Sequence, residues 1–403
     1  MLGFDAVRPA APTPCFAFSA GQSVLPVRVV CVVLCLLGSG LALVTPTAAR
    51  ERWTEQQAMD WYARQPWILG ANYVPATAIN QLEMWQADTF DPGRIELELG
   101  WAETIGMNTV RVFLHDLLWQ QDAPGFKRRI DDFLEIATRH HIRTLLVLFD
   151  SVWDPNPHLG PQHAPVPGVH NSGWVQSPSA AILADPSQYP RLESYVKAVI
   201  SAFAGDQRIL GWDVWNEPPY SGKVGGSYAA LEAPHKGERV RALLPRVFRW
   251  ARAAGATQPL TSGLWGESWE RPGPVSGTPL IQLQESDIIS FHSYDHPAMF
   301  EKKVVALSRY HRPLICTEYM ARSAGSTFEN TLPIARKYHV GAINWGLVEG
   351  KTQTIYPWDS WQKPYDREPT PWFHDIFRTD GRPYDSKETA LIREMSGTNR
   401  AAQ

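Results

Sequence analysis

The chain has 403 residues, 44% of them hydrophobic and 20% charged, with a formal net charge of −3. That balance excludes a disordered chain, leaves ample material for a core, and offers no basic surface for nucleic acid. The 17 Trp and 33 Pro stand out, and indoles at that density serve either an aromatic core or stacking platforms in a groove.

Residues 1 to 23 are rich in Pro and Ala without periodicity. Arg28 then precedes an apolar run, Val29 to Gly38, extended by Leu41 to Val44 and followed by small residues at Thr47, Ala48 and Ala49. This order predicts a secretory signal cleaved near Ala49, and with it an exported protein, periplasmic or extracellular. The run is short for a full span, so an uncleaved N-terminal anchor is the other reading. The long polar lead predicts a natural start downstream, near Val24. Cys15, Cys31 and Cys35 all fall in this segment, so the body from 50 to 403 carries Cys316 alone, read as a buried structural thiol.

From Arg50 onward strand and helix patterns alternate. Strands are predicted at Trp67 to Tyr73, Asn108 to His115, Ile142 to Phe149, Ile209 to Trp215, Gln258 to Gly263, Asp287 to His292, Arg312 to Thr317 and Gly341 to Trp345. They read as short apolar runs of the kind parallel strands show when both faces are covered. Helical spacing is found at Thr54 to Arg64, Arg94 to Gly106, Phe126 to His141, Tyr195 to Phe203, Glu238 to Ala254, Met299 to Tyr310, Asn330 to Tyr338 and Asp385 to Met395. Eight strands alternating with helices predict an α/β fold, a (β/α)8 TIM barrel forming one catalytic domain over 50–403. Long loops follow strands 3 (Asp150 to Pro190, irregular and Pro-rich) and 8 (Gly346 to Trp372). Neither GxGxxG nor GxxxxGK[ST] is present to favour a nucleotide fold.

In such a barrel the chemistry gathers at the C-terminal ends of the strands. That rule selects Asn72, Arg111, His115, Asp150, Asn216, Glu217, Trp265, His292, Tyr294, Glu318 and Trp345. Carboxylates, amides, imidazoles and indoles are what a sugar site needs: acids for the glycosidic bond, hydrogen-bonding groups for hydroxyls, aromatic faces for the ring. Two Glu delivered by different strands fit general acid/base and nucleophilic work on one substrate.

The motif WNEP at Trp215 to Pro218, with TE at Thr317 and Glu318, Arg111 after strand 2, HSY at His292 to Tyr294 and Trp345 after strand 8, resembles the clan of retaining (β/α)8 glycoside hydrolases that includes the cellulase-like family 5. The resemblance covers roughly residues 67 to 397. It implies Glu217 as acid/base, Glu318 as nucleophile, Asn216 on the 2-hydroxyl of the attacked sugar, and Arg111 beside the nucleophile. His292 and Tyr294 would orient substrate and nucleophile, and Trp345 would floor the cleavage subsite. The implied activity is hydrolysis of O-glycosidic bonds in a β-linked glycan of glucan, mannan or xylan type, by double displacement and with no metal or other cofactor. Members with a His pair near strands 2 and 3 are matched here by His115 only, since strand 3 leads to Asp150.

Plainer readings compete residue by residue. Glu217 could cap a helix, Arg111 could sit in a structural ion pair, His292 could be a satisfied core histidine and Trp345 could plug the barrel. His158, His163 and His170 in the long loop lack metal-ligand spacing. For the whole chain the alternatives are a barrel that binds carbohydrate without cleaving it and an inverting hydrolase with more widely separated acids. The expected partner is an oligo- or polysaccharide, with no stable membrane association beyond a possible N-terminal anchor.

Overall fold

The computed structural model describes residues 49–397 apart from 219, 221–227, 267–268 and 270–272. The leading segment read as a signal lies outside the described residues. Eight strands form one parallel sheet: β1 (Leu69–Asn72), β2 (Thr109–Phe113), β3 (Arg143–Val147), β4 (Ile209–Asp213), β5 (Leu260–Thr261), β6 (Ile289–His292), β7 (Leu314–Glu318) and β8 (Gly341–Asn344). Their order is β5-β4-β3-β2-β1-β8-β7-β6. A parallel bridge between Leu264 and Phe291, with Leu264 N–H donating to Ser290 O at 2.9 Å, joins β5 to β6 and closes the ring. The chain therefore has the (β/α)8 barrel that the alternation predicts.

Each predicted strand is present, most of them shorter than predicted, while β7 reaches one residue further, to Glu318. Tight approach is built into the seam between β1 and β2, where a Cβ on Gly70 would lie 1.9 Å from the carbonyl oxygen of Thr109; only glycine lets the two backbones meet there. The helix predicted from Phe126 begins earlier, at Asp116, and runs to Arg139 with a break at Asp122. Asp122 leaves helical geometry, its carboxylate accepts from Gly125 N–H at 2.9 Å, and Pro124 follows, so a capped second helix starts inside the first. The helix Gly277–Glu285 between β5 and β6 is an addition to the predicted set, opening at Gly277 with Pro279 in its first turn. The loop after β3 is less irregular than expected: Asp150 bridges Ser177, and a short helix, Ala180–Ala184, precedes the helix Tyr189–Ala202.

The interior is layered. Ile68, Leu145, Leu210, Ile288, Ile315 and Ile343 fill the lower barrel and pack with Ala58, Trp61 and Tyr62 of the helix Glu55–Ala63, which plugs the N-terminal end. A larger apolar shell lies between strands and outer helices. With the bottom stoppered by hydrocarbon, the polar side chains of the barrel collect at its C-terminal mouth. Cys316 is buried, and its thiol donates to Glu318 O at 3.2 Å.

Candidate active site

Glu318 is the last residue of β7, and Glu217 lies just beyond β4. Glu217 has φ of +42°, the left-handed region that costs a residue bearing a Cβ on the order of 1 kcal/mol and that concentrates at functional sites. This turn throws its side chain back over the barrel mouth. A carboxylate oxygen of Glu217, one of Glu318 and a ring nitrogen of His292 all lie within 4.8 Å of one another.

Beneath them Arg111 is fully buried in β2. Its Nη1 donates to Glu318 Oε1 at 2.9 Å and to Asn72 Oδ1 at 2.8 Å, Nη2 donates to Asn216 Oδ1 at 2.6 Å, and Nε and Nη2 both reach Asp213 Oδ2, at 3.1 and 2.8 Å. One guanidinium thus ties groups from β1, β4 and β7, using the fork geometry that arginine offers and lysine lacks. Asn216 in turn donates from Nδ2 to Asp150 Oδ1 at 3.0 Å, and Trp174 Nε1 holds the other Asp150 oxygen at 2.6 Å. The Asn216 amide is fixed at both ends and keeps a second N–H available for a ligand.

The two acids have unequal surroundings. The Tyr294 hydroxyl donates to Glu318 Oε2 at 2.8 Å, while His292 Nδ1 lies 2.9 Å from Glu217 Oε1 and 3.4 Å from Glu318 Oε2. Burial pushes the Glu217 carboxyl well above the usual range, and the charges of Glu318 and Asp150 push it further. Burial lifts Glu318 too, to about 7, against the pull of Arg111 and the Tyr294 hydroxyl. Glu217 is therefore the carboxyl that keeps its proton and Glu318 the one that gives it up first. Burial and the nearby Arg111 charge push His292 well below its ordinary pKa, so that ring is neutral.

Above the acids opens a cavity of about 240 Å³. Of the predicted residues, Asn216, Glu217, Tyr294, Glu318, Trp345 and Trp265 line it. Arg111, Asn72, Asp150 and His292 stand behind that surface and hold it in shape. His115 is a correction: it does not line the cavity. Its Nδ1 accepts from Leu117 N–H at 3.2 Å to cap a helix, and Nε2 pairs with Gln176 O at 2.9 Å. The lining also contains Tyr220 after β4, Trp153, His170 and Asn171 from the loop after β3, and Trp358 and His374 beyond β8. Asp213 was passed over as well, although a carboxylate inside the apolar run ILGWDVW is a signal that a buried cation awaits it.

Glu217, His292 and Glu318 also form the acid and imidazole cluster, among the described residues, that could hold a metal ion. Glu318 already takes Arg111 on one oxygen and Tyr294 on the other, so the cluster is organised as a hydrogen-bonded network around a fixed cation.

A scan against protein families finds no match to this chain, and neither does a search among curated proteins. Solved structures do match. GH5_18 from Streptomyces cattleya, in complex with GlcNAc, superposes with a TM-score of 0.55 at 12% identity, covering 83% of this chain and 81% of that one. The exo-β-1,4-mannosidase Op5Man5 from Opitutaceae bacterium strain TAV5 gives 0.53 at 18% identity, over 83% of this chain and 60% of its own. The endo-β-1,4-mannanase from Thermotoga petrophila gives 0.52 at 12% identity, over 85% and 79%. At these identities the likeness is one of fold: the chain has the (β/α)8 barrel seen in glycoside hydrolase family 5 structures.

Proposed function

We propose that this protein is a retaining β-glycosidase acting on a β-linked glycan, with β-1,4-linked mannose-containing chains the first to test. The observation that carries the reading is the pair of buried carboxyls after β4 and at the end of β7, with oxygens within 4.8 Å and unequal electrostatic settings. Retaining enzymes hold their two carboxyls about 5 to 5.5 Å apart, whereas inverting enzymes leave about 6.5 to 9.5 Å for a water. The short spacing supports retention. The choice of glycan leans on the names of the solved neighbours, which include mannosidases and mannanases.

In this reading Glu318, the acid whose ionised form Arg111 and Tyr294 favour, attacks the anomeric carbon while Glu217 protonates the departing oxygen. The new ester removes the negative charge of Glu318. That charge is one of the causes raising the Glu217 pKa, so Glu217 is then free to act as base for the incoming water. Asn216, locked between Arg111 and Asp150, offers its remaining N–H to a sugar hydroxyl, and Trp345 offers its face to the ring.

The test compares Glu318→Ala and Glu217→Ala on aryl β-mannosides and β-glucosides. Glu318→Ala is expected to abolish turnover on every substrate. Glu217→Ala is expected to lose about 10²- to 10⁴-fold on sugars with poor leaving groups and much less on nitrophenyl glycosides, which need no proton. Full activity in either variant would refute the assignment.

A further inference from the structure

The loops after β3 and β8 do not neighbour one another in the barrel. With the order β3-β2-β1-β8, the ends of β1 and β2 lie between them. Yet they meet. Asn171 N–H donates to Thr352 O at 2.8 Å, Tyr365 N–H donates to Gly168 O at 3.0 Å, and His170 N–H donates to Ser360 Oγ at 2.9 Å. Trp153 of the first loop stacks on Trp361 of the second, with centroids 4.9 Å apart and planes at 13°. Both loops also touch the segment after β1, where Lys351 N–H donates to Ala76 O at 3.1 Å and Asn80 Nδ2 donates to Gly173 O at 2.8 Å, so this side of the mouth is walled.

The wall stands on one side of the two acids. Glu318 ends β7 and Trp345 follows β8, and Trp345 packs edge-on against Trp174 of the β3 loop, with centroids 5.8 Å apart. Glu217 lies just beyond β4, and the described lining residues near it are Tyr220 after β4 and Trp265 after β5. In a retaining reaction the sugar that joins the nucleophile is the one on its non-reducing side, and the group that departs lies beside the proton donor. Tyr294, which donates to Glu318, packs against His374 with ring centroids 5.6 Å apart, so the transferred sugar sits beside the part of the wall that carries His374.

His170 and His374 face this cavity, with ring centroids 5.5 Å apart. Each turns Nδ1 to a main-chain carbonyl, of Tyr356 and Met320 respectively, so Nδ1 carries the proton and Nε2 is left as an acceptor. Two neutral acceptors suit the hydroxyl donors of an unmodified sugar rather than a carboxylate.

Building on the glycosidase reading, we propose that the cavity is blind at its glycone end, so that the enzyme removes neutral sugars one at a time from the non-reducing ends of glycan chains, with His170 and His374 holding the hydroxyls of the terminal residue. A polymer cannot thread past the joined loops, and only a chain end fits against Trp345.

The test follows wild-type protein on β-1,4-linked manno- and gluco-oligosaccharides of two to six units, labelled at the reducing end, together with aryl β-monoglycosides. The expected result is loss of one sugar at a time, with labelled products shortening stepwise, and cleavage of the monoglycosides. Labelled fragments of mixed length from the earliest times would overturn the chain-end assignment and leave the glycosidase reading intact. No cleavage of any compound would overturn both. For the histidines, His374→Ala should raise KM for an aryl monoglycoside roughly tenfold, and His374→Asn, which keeps an acceptor, should recover most of it; equal losses in both variants with an unchanged KM would exclude the contact.

Discussion

Arg111 carries more of this protein than any other single side chain. Its guanidinium meets two buried carboxylates, Asp213 and Glu318, and two buried amides. Arg111→Ala would leave Asp213 charged and without its cation, so we expect a loss of about 3 to 5 kcal/mol in urea unfolding. Arg111→Lys should recover part of that stability but little activity, because a point charge cannot reproduce the fork. The same network sets the pH profile. Activity needs Glu318 ionised and Glu217 protonated, so the rising limb reports Glu318 and the falling limb Glu217. Because the Glu318 charge helps raise the Glu217 pKa, Glu318→Gln should lower it; carboxyl NMR titration of Glu217 checks this, and an unchanged or higher value would contradict the coupling. Sequence made the paired Glu, Arg111 and Tyr294 legible, since strand-end acids and a cation in an apolar run stand out. It did not reveal the left-handed turn at Glu217 or the second role of Asn216 as a strut, because both arise from contacts across strands far apart in the chain.

The loops show what patterning cannot reach. Apolar runs and helical spacing located the strands because each is a local consequence of burial. The loops after β3 and β8 have no period, and their order comes from contacts nearly 200 residues apart, such as Tyr365 with Gly168. Only the fold brings Trp153 onto Trp361. His115 was misread for the same reason: a strand-end position says where a residue begins, not which way its ring turns. Gly168 is the weak point of the seam. It has φ of +73°, and a Cβ there would lie 1.9 Å from the carbonyl oxygen of Tyr365. Gly168→Ala should therefore separate the two loops at a cost of about 1 to 3 kcal/mol. Hydrogen exchange should show faster opening around 166–171 and 352–365 while the strands keep their protection; uniform protection in the variant would contradict the seam.

At the scale of the whole molecule, the barrel divides into an apolar lower half and a polar mouth, and the mouth includes buried acids whose pKa burial raises. Asp150 is raised to about 6 and Asp375 to about 7, in each case mainly by loss of water. Between the unfolded value of 3.8 and these values the folded protein holds protons that the unfolded chain has released. Stability due to these groups is thus complete at low pH and falls as pH rises through that window. Asp375→Asn should stabilise the protein at pH 8 by on the order of 1–3 kcal/mol, with most of the gain gone near pH 4; Asn also tolerates the φ of +59° found there. Thermal melts of the two proteins across pH check both the sign and the window. The global fold was legible because eight alternations leave few other architectures, whereas the shape of the cavity had to await the loops. The account rests on retention, and the most direct measurement is proton NMR of the first sugar released from an aryl β-glycoside. We predict that the β anomer appears first and the α anomer only later, by mutarotation. Initial appearance of the α anomer would contradict the double displacement assigned to Glu217 and Glu318.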